Sequence, residues 1–173
     1  MRFGRNRARQ KGEAVMKSMA IALCGASMFV LAATAKAETV GAAGDAAGAR
    51  DVLRSGLNRF PNYRPLHYAY VDVLQGMGQH QAALAWLSEL VKSYPRDARL
   101  YSLQAKSYAA SGKRLLHHQA LAETYVLQGT LPAAIEQLQL AQKSGDGDFY
   151  QLSAVEARLR DLRTQQAEER KNR

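Results

Sequence analysis

Landmark residues of this 173-residue chain recur every 34 positions, and this period constrains the fold more than any other feature. Gly44, Gly78 and Gly112 follow one another at that spacing, as do Pro61 and Pro95. A fixed period of this length indicates stacked copies of one supersecondary unit. Other pairs with the same spacing are Ala49 and Ala83, Leu53 and Leu87, and Phe60 and Tyr94.

Local signals predict that each unit is a pair of helices. Within residues 64–97, a first helix is predicted over about 66–76, and Gly78 ends it because glycine adopts the left-handed conformation without strain. A second helix is predicted over about 80–93, stopping before Pro95. Its apolar residues recur at helical spacing and form one stripe. They are Leu84, Leu87 and Val91.

A helix–turn–helix unit that repeats with this period has the length of the tetratricopeptide repeat (TPR). The small Ala83 lies where the two helices of such a unit must approach closely. We therefore predict an all-α, TPR-like array of about 2.5–3.5 repeats with a C-terminal capping helix. A signal peptide is predicted to precede it.

The period changes after Gly112, because Gly129 lies only half a period further along the chain. The second helix of the unit that begins near Ala98 is therefore predicted to be missing or shortened. Another first-type helix, that is, one equivalent to the first helix of a unit, is predicted to begin near Leu115. Pro132 favours the start of the next helix, since its missing N–H is harmless there. A turn cluster at 144–148 then separates it from a last helix. The apolar stripe of that last helix is Leu152, Val155, Leu159 and Leu162.

The N-terminus predicts export. The uncharged run 18–35 follows a basic segment and is followed by Lys36-Ala37, which gives the features of a secretory signal peptide cleaved after Ala37. The alternative is an uncleaved N-terminal membrane anchor, for which the run is at the short limit. Met16 competes with Met1 as the true start. The only cysteine, Cys24, lies in this segment, so the mature chain is predicted to use no thiol chemistry.

Charge argues against a nucleic-acid partner. The net charge is +9, but residues 1–37 hold seven basic side chains and one acidic side chain, which leaves about +3 for the body.

The predicted organisation is an N-terminal extension and signal peptide (1–37), an Ala/Gly linker (38–48), a TPR-like helical domain (49–166) and a charged tail (167–173). Residues 46–60 match a second helix that lacks its first helix, so the array is interpreted as cut in mid-unit.

Three segments carry a more specific likeness: FPNYRPLHYAYVDVL, HQALAETYVLQGTLPAAIEQLQLA and GDGDFYQLSAVEARLRDLR. Over residues 46–166 the chain resembles the C-terminal TPR region of bacterial periplasmic zinc metalloproteases of the β-barrel assembly-enhancing type. The resemblance implies a periplasmic location and contact with outer-membrane or envelope assembly proteins. One alternative hypothesis is that the chain is a detached C-terminal fragment of such a protease, broken by frameshift or rearrangement.

Protease activity is not part of that expectation. The histidines are His67, His80, His117 and His118, and none begins the H-E-x-x-H motif that brings two histidines to one zinc ion. Side chains at adjacent helix positions point about 100° apart. We therefore predict that His117 and His118 have structural roles and do not bind one metal ion together. His80 is predicted to be solvated. We predict no enzyme activity, no catalytic residue, no metal site and no cofactor.

The predicted partner is another protein or an unfolded polypeptide, held in a groove that first-type helices line. Six residues fall where TPR helices face that groove, although an ordinary solvated face is the alternative for each. They are Tyr68, Asp72, Arg99, Lys106, Gln119 and Glu123. Tyr101 is also placed on this inner surface, whereas Tyr108 and Tyr125 are predicted to pack in the core. Oligomeric state is not predicted.

Overall fold

The computed structural model describes residues 45–172. The predicted signal peptide, the alternative anchor and most of the predicted linker lie outside this range. Over the described residues the chain is all-helical and forms the predicted TPR-like array. The helices are α1 (Ala46–Arg59), α2 (Arg64–Gly76), α3 (His80–Ser93), α4 (Ala98–Ala110), α5 (Arg114–Leu127), α6 (Leu131–Gln142) and α7 (Phe149–Lys171). None of these helices is long and apolar enough to cross a membrane.

The chain divides into two compact units, one ending at Tyr70 and one beginning at Val71. In the first unit, the Asp45 side chain accepts a hydrogen bond of 2.8 Å from the Gly48 amide and caps α1. Helix α1 therefore includes Ala46 to Gly48, which the sequence assigns to the linker. Gly56 lets Leu66 pack closely, since a Cβ atom there would lie 3.3 Å from Leu66 Cδ1.

In the second unit, α3 has the predicted bounds. Ala83 and Leu87 are fully buried, as expected for the contact face of a helix pair, while Val91 is only half-buried. Within this unit α3 packs on α4, α4 on α5, α5 on α6 and α6 on α7. The core is thus built by successive neighbours along the chain, as in a repeat array.

Glycines end α2 and α4 as predicted. Gly78 and Gly112 both have φ = 71°, the left-handed region. The amide of the residue after each glycine closes the turn: Gln79 N–H donates to Leu74 at 2.8 Å and Lys113 N–H to Tyr108 at 3.0 Å. The two turns therefore have the same geometry, one full period apart.

The prediction of a missing or shortened second helix after Gly112 is wrong. Helix α5 has 14 residues, as many as α3, and begins one full period after it. It ends, however, like a first-type helix, with Gly129 at φ = 75° and Thr130 N–H donating to Tyr125 at 2.9 Å. One full-length helix thus serves both as the second helix after α4 and as the first helix before α6, because half a period is one helix plus one turn.

Helices α5, α6 and α7 share one apolar cluster. The predicted stripe of α7 faces it, with Val155, Leu159 and Leu162 buried and Leu152 half-buried. Helix α7 continues to Lys171, so most of the predicted charged tail is helical. No glycine or proline interrupts residues 149–171, and nothing in the sequence stops the helix earlier. The other buried members are Leu115, Ala122, Leu131, Ala134, Ile135, Leu138 and Ala141.

The turn cluster at 144–148 caps two helices. Asp148 begins α7 with a capping box, in which its side chain and that of Gln151 satisfy each other's backbone amides. Asp146 caps α5 from a distance: its carboxylate accepts from the amides of Arg114 and Leu115, the latter at 3.0 Å. Lys113, the local cap residue of α5, makes no side-chain cap bond. The cluster therefore connects α5 to the α6–α7 turn.

We expect the Asp146 cap to make stability depend on acid pH. Hydrogen bonding to Ser144, and then to the amides of Leu115 and Arg114, holds the pKa of Asp146 below its ordinary value. A depressed folded-state pKa contributes stability that is complete above the unfolded pKa of about 3.9 and is lost as pH falls through the folded value. Urea unfolding of wild type and Asp146→Ala across the acid range should show the wild-type advantage shrinking as pH falls. A difference that is constant with pH would contradict this role.

Candidate functional site

An open pocket of about 210 Å³ lies on the second unit between α4 and α5. We call it the α4–α5 pocket. Helix α4 contributes two tyrosines and a glutamine, and α5 contributes two aliphatic side chains, a glutamine and a glutamate. The lining residues are Tyr101, Gln104, Tyr108, Leu116, Gln119, Ala120 and Glu123.

Helical spacing places these residues on facing sides of the two helices. The α4 residues lie at i, i+3 and i+7, and the α5 residues at i, i+3, i+4 and i+7, so each set shares one face. The short turn at 111–113 makes the helices antiparallel neighbours. Tyr108 therefore lies at the level of Leu116, Gln104 at that of Gln119, and Tyr101 at that of Glu123. The α4–α5 pocket has an apolar end, an amide middle and a charged end.

Arg158 of α7 neutralises the charged end. Its Nε and Nη2 donate to the two carboxylate oxygens of Glu123 at 2.7 and 2.8 Å. This bidentate geometry is the strong form of the pair, and it raises the pKa of Arg158. The Arg158 and Glu123 side chains are 31% and 26% exposed, so the pair is partly shielded from water. The carboxylate of Glu123 is thus occupied by a partner within the chain.

The two tyrosines of the α4–α5 pocket stay neutral at physiological pH. Burial raises the pKa of Tyr101, the negative charge of Glu123 raises it further, and Arg158 partly opposes this. Burial alone raises the pKa of Tyr108. The Tyr101 hydroxyl donates to the Pro95 carbonyl at 3.1 Å. The sequence predicts that Tyr108 packs in the core, but this side chain is half-exposed and lines the pocket. Tyr125 is half-buried against the apolar cluster.

Only two of the six predicted groove residues line the α4–α5 pocket. Gln119 and Glu123 line the α4–α5 pocket, and the exposed Lys106 does not. Arg99 Nη2 lies 3.8 Å from Asp72 Oδ2, and both side chains are well exposed. An ion pair this long and this exposed contributes little stability. Tyr68 is half-buried in the first unit, whereas the other five residues belong to the second.

Sequence reasoning missed three residues that line the pocket, Gln104, Leu116 and Ala120, and it missed Arg158, which pairs with Glu123. Gln104 could have been found from its position three residues after Tyr101, on the same helix face. Arg158 could not, because its partner lies 35 residues away along the chain and no periodicity joins them.

His117 and His118 have the structural roles that the sequence predicts, whereas the prediction for His80 is wrong. His117 Nδ1 lies 2.9 Å from the Ala105 carbonyl, and His118 Nδ1 lies 2.9 Å from Gln137 Oε1, so each ring connects α5 to a different neighbour. His80 is half-buried, and its Nδ1 is enclosed without a hydrogen-bond partner. It is therefore not the solvated residue that the sequence predicts. Within residues 45–172, no group of three His, Cys, Asp or Glu residues could hold a metal ion.

A second exposed feature lies at the start of α7. Phe149 and Tyr150 are 77% and 82% exposed, and their rings meet edge-to-face with centroids 5.9 Å apart. Neither residue lines the α4–α5 pocket, so we treat this pair as the rival surface in binding experiments.

Comparison with known proteins agrees with the helical architecture. The family model described as "Tetratricopeptide repeat" matches residues 42–107, a range that includes most of α4 and therefore part of one wall of the α4–α5 pocket. No curated protein matches the sequence significantly. Repeats of this kind typically serve as non-catalytic modules for protein–protein interaction. The match indicates a tetratricopeptide-type repeat within residues 42–107, and the 34-residue period and the helix pairs agree with a TPR-like array over the described residues.

Proposed function

We propose that this protein is a non-catalytic TPR binding module that works in the periplasm and holds a polypeptide segment of an envelope protein. The observation that carries the proposal is the α4–α5 pocket, an open cleft on a helical repeat unit. Its tyrosine faces, free amides and aliphatic base are the groups that peptide-binding clefts use. The proposal assigns no catalytic step to the chain.

The periplasmic part of the proposal rests on the sequence of residues 1–37, with a basic segment, an apolar run and Ala35-Lys36-Ala37 in order. Expression of the full chain in a Gram-negative bacterium should yield a processed form that begins at Glu38 and is released by osmotic shock. Mass spectrometry of the intact protein identifies the new N-terminus. An uncut chain in the membrane fraction would instead favour the anchor.

The choice of partner rests on the likeness of residues 46–166 to the C-terminal region of periplasmic zinc metalloproteases. That likeness favours outer-membrane assembly proteins or unfolded barrel segments as the bound polypeptide. The chain, purified in the form that the cell produces and immobilised, should enrich outer-membrane assembly components from an envelope extract. A chain carrying Gln119→Arg, which places a bulky charged side chain in the α4–α5 pocket at a half-buried position, is the matched control, and circular dichroism establishes that it is folded. Recovery of cytosolic proteins alone, or equal recovery by both chains, would contradict the proposal.

A further inference from the structure

The middle of the α4–α5 pocket presents two side-chain amides with unused hydrogen-bonding capacity. Gln104 and Gln119 both line the pocket. Within residues 45–172 neither amide has a partner among the protein's own groups. Each carries two N–H donors and a carbonyl acceptor, the groups that also occur in a peptide bond. A glutamine side chain can therefore pair with the main chain of a polypeptide in the way a neighbouring strand does.

The surroundings of these amides disfavour charged ligands. The carboxylate of Glu123 and the guanidinium of Arg158 satisfy each other. A ligand cation or anion would therefore have to break that pair or remain without a counter-charge in a partly desolvated cleft. The remaining surface, from Leu116, Ala120 and Tyr108, is apolar or aromatic. A volume of about 210 Å³ suits one or two uncharged side chains.

We infer that the α4–α5 pocket recognises the main chain of an extended, uncharged polypeptide segment, with Gln104 and Gln119 pairing its peptide groups and an apolar side chain seated on Leu116 and Ala120. The inference rests on the proposed function and states which feature of a polypeptide is recognised. Main-chain recognition makes binding tolerant of sequence. It also requires an unfolded segment, since the peptide groups of folded proteins already pair with each other.

The test uses short capped peptides as probes against the chain in its natural processed form. The first peptide is uncharged with one central leucine, and the second is identical but N-methylated around the leucine, which removes main-chain donors while keeping the side chains. The third and fourth place lysine or glutamate beside the leucine. Calorimetry should find the uncharged peptide bound most tightly. N-methylation should weaken binding by about twofold to tenfold, the range expected for one or two hydrogen bonds.

Gln104→Met and Gln119→Met remove the amides while keeping side-chain length and helix propensity. Each should weaken binding of the uncharged peptide by about twofold to tenfold and reduce the difference in affinity between this peptide and its N-methylated form, and the double variant should abolish most of that difference. Gln81→Met is the matched control, because Gln81 is an exposed glutamine of α3 outside the pocket. Thermal melts followed by circular dichroism establish that all variants are folded.

The outcomes separate this inference from the proposed function. Binding of unfolded polypeptide that ignores N-methylation and both glutamine substitutions overturns main-chain recognition but leaves the binding module intact. Failure to bind any unfolded polypeptide overturns both. Tighter binding of the lysine or glutamate peptide than of the uncharged one would also contradict the inference, since it would show that Glu123 or Arg158 is available to ligands.

Discussion

Leu138→Ala should lower the free energy of unfolding by about 2–5 kcal/mol, the range for deleting a large aliphatic side chain from a tightly packed core. Leu138 is fully buried in the cluster that α5, α6 and α7 share. Its removal leaves a cavity lined by residues of the neighbouring helices, which relax only partly. Urea unfolding followed by circular dichroism measures the change.

Leu140→Ala is the matched control, with the same chemical change two residues along α6. Leu140 is 41% exposed, so its truncation should change stability by less than about 1 kcal/mol. The contrast depends only on which face of α6 points into the cluster. Equal losses for the two variants would mean that α6 is rotated or does not pack as described.

Gly147→Ala should destabilise the chain by about 1–3 kcal/mol through overpacking. A Cβ atom at this position would overlap Leu115 Cδ1 and would lie 3.6 Å from Leu152 Cγ. Leu115 is 1% exposed and belongs to the apolar cluster, so it has little room to move. The turn must therefore shift, and the Asp146 cap on α5 would shift with it. Thermal unfolding followed by circular dichroism reports the loss.

Gly76→Ala provides the opposite expectation. Gly76 is the last residue of α2, and a Cβ atom there meets nothing within 4 Å. Alanine should stabilise the helix by up to about 1 kcal/mol, since it restricts the unfolded chain more than glycine does. A melting temperature lowered by Gly76→Ala as much as by Gly147→Ala would show that close packing at the turn is not the cause.

Periodicity predicted the helices well because each signal in it is local. The bounds of α3 follow from the Gly78 turn and from Pro95, both a few residues from the helix ends. The burial of Ala83 follows equally from the close approach that a helix pair requires. The same reasoning failed at α5, where Gly129 was interpreted as a loss of one helix. A spacing of half a period specifies where a turn falls, but not which neighbours the helix before it contacts.

The site was less predictable because its contacts join distant parts of the chain. Gln119 and Glu123 could be placed in a groove from their helix face, but the neutralisation of Glu123 depends on Arg158 in a helix that begins only at Phe149. Asp146 is a similar case, since it caps a helix whose first residue lies 32 positions before it. Neither partner carries a sequence signal that points to the other.

The central claim is that the TPR-like array leaves the α4–α5 pocket open and that this pocket binds a polypeptide. Isotope-labelled chain, titrated with an unfolded outer-membrane barrel segment and followed by nuclear magnetic resonance, tests it most directly. We predict that the largest shifts occur at the side-chain amides of Gln104 and Gln119 and at the backbone of the residues that line the pocket. Shifts confined to the exposed pair Phe149 and Tyr150, or no shifts at saturating polypeptide, would contradict the claim.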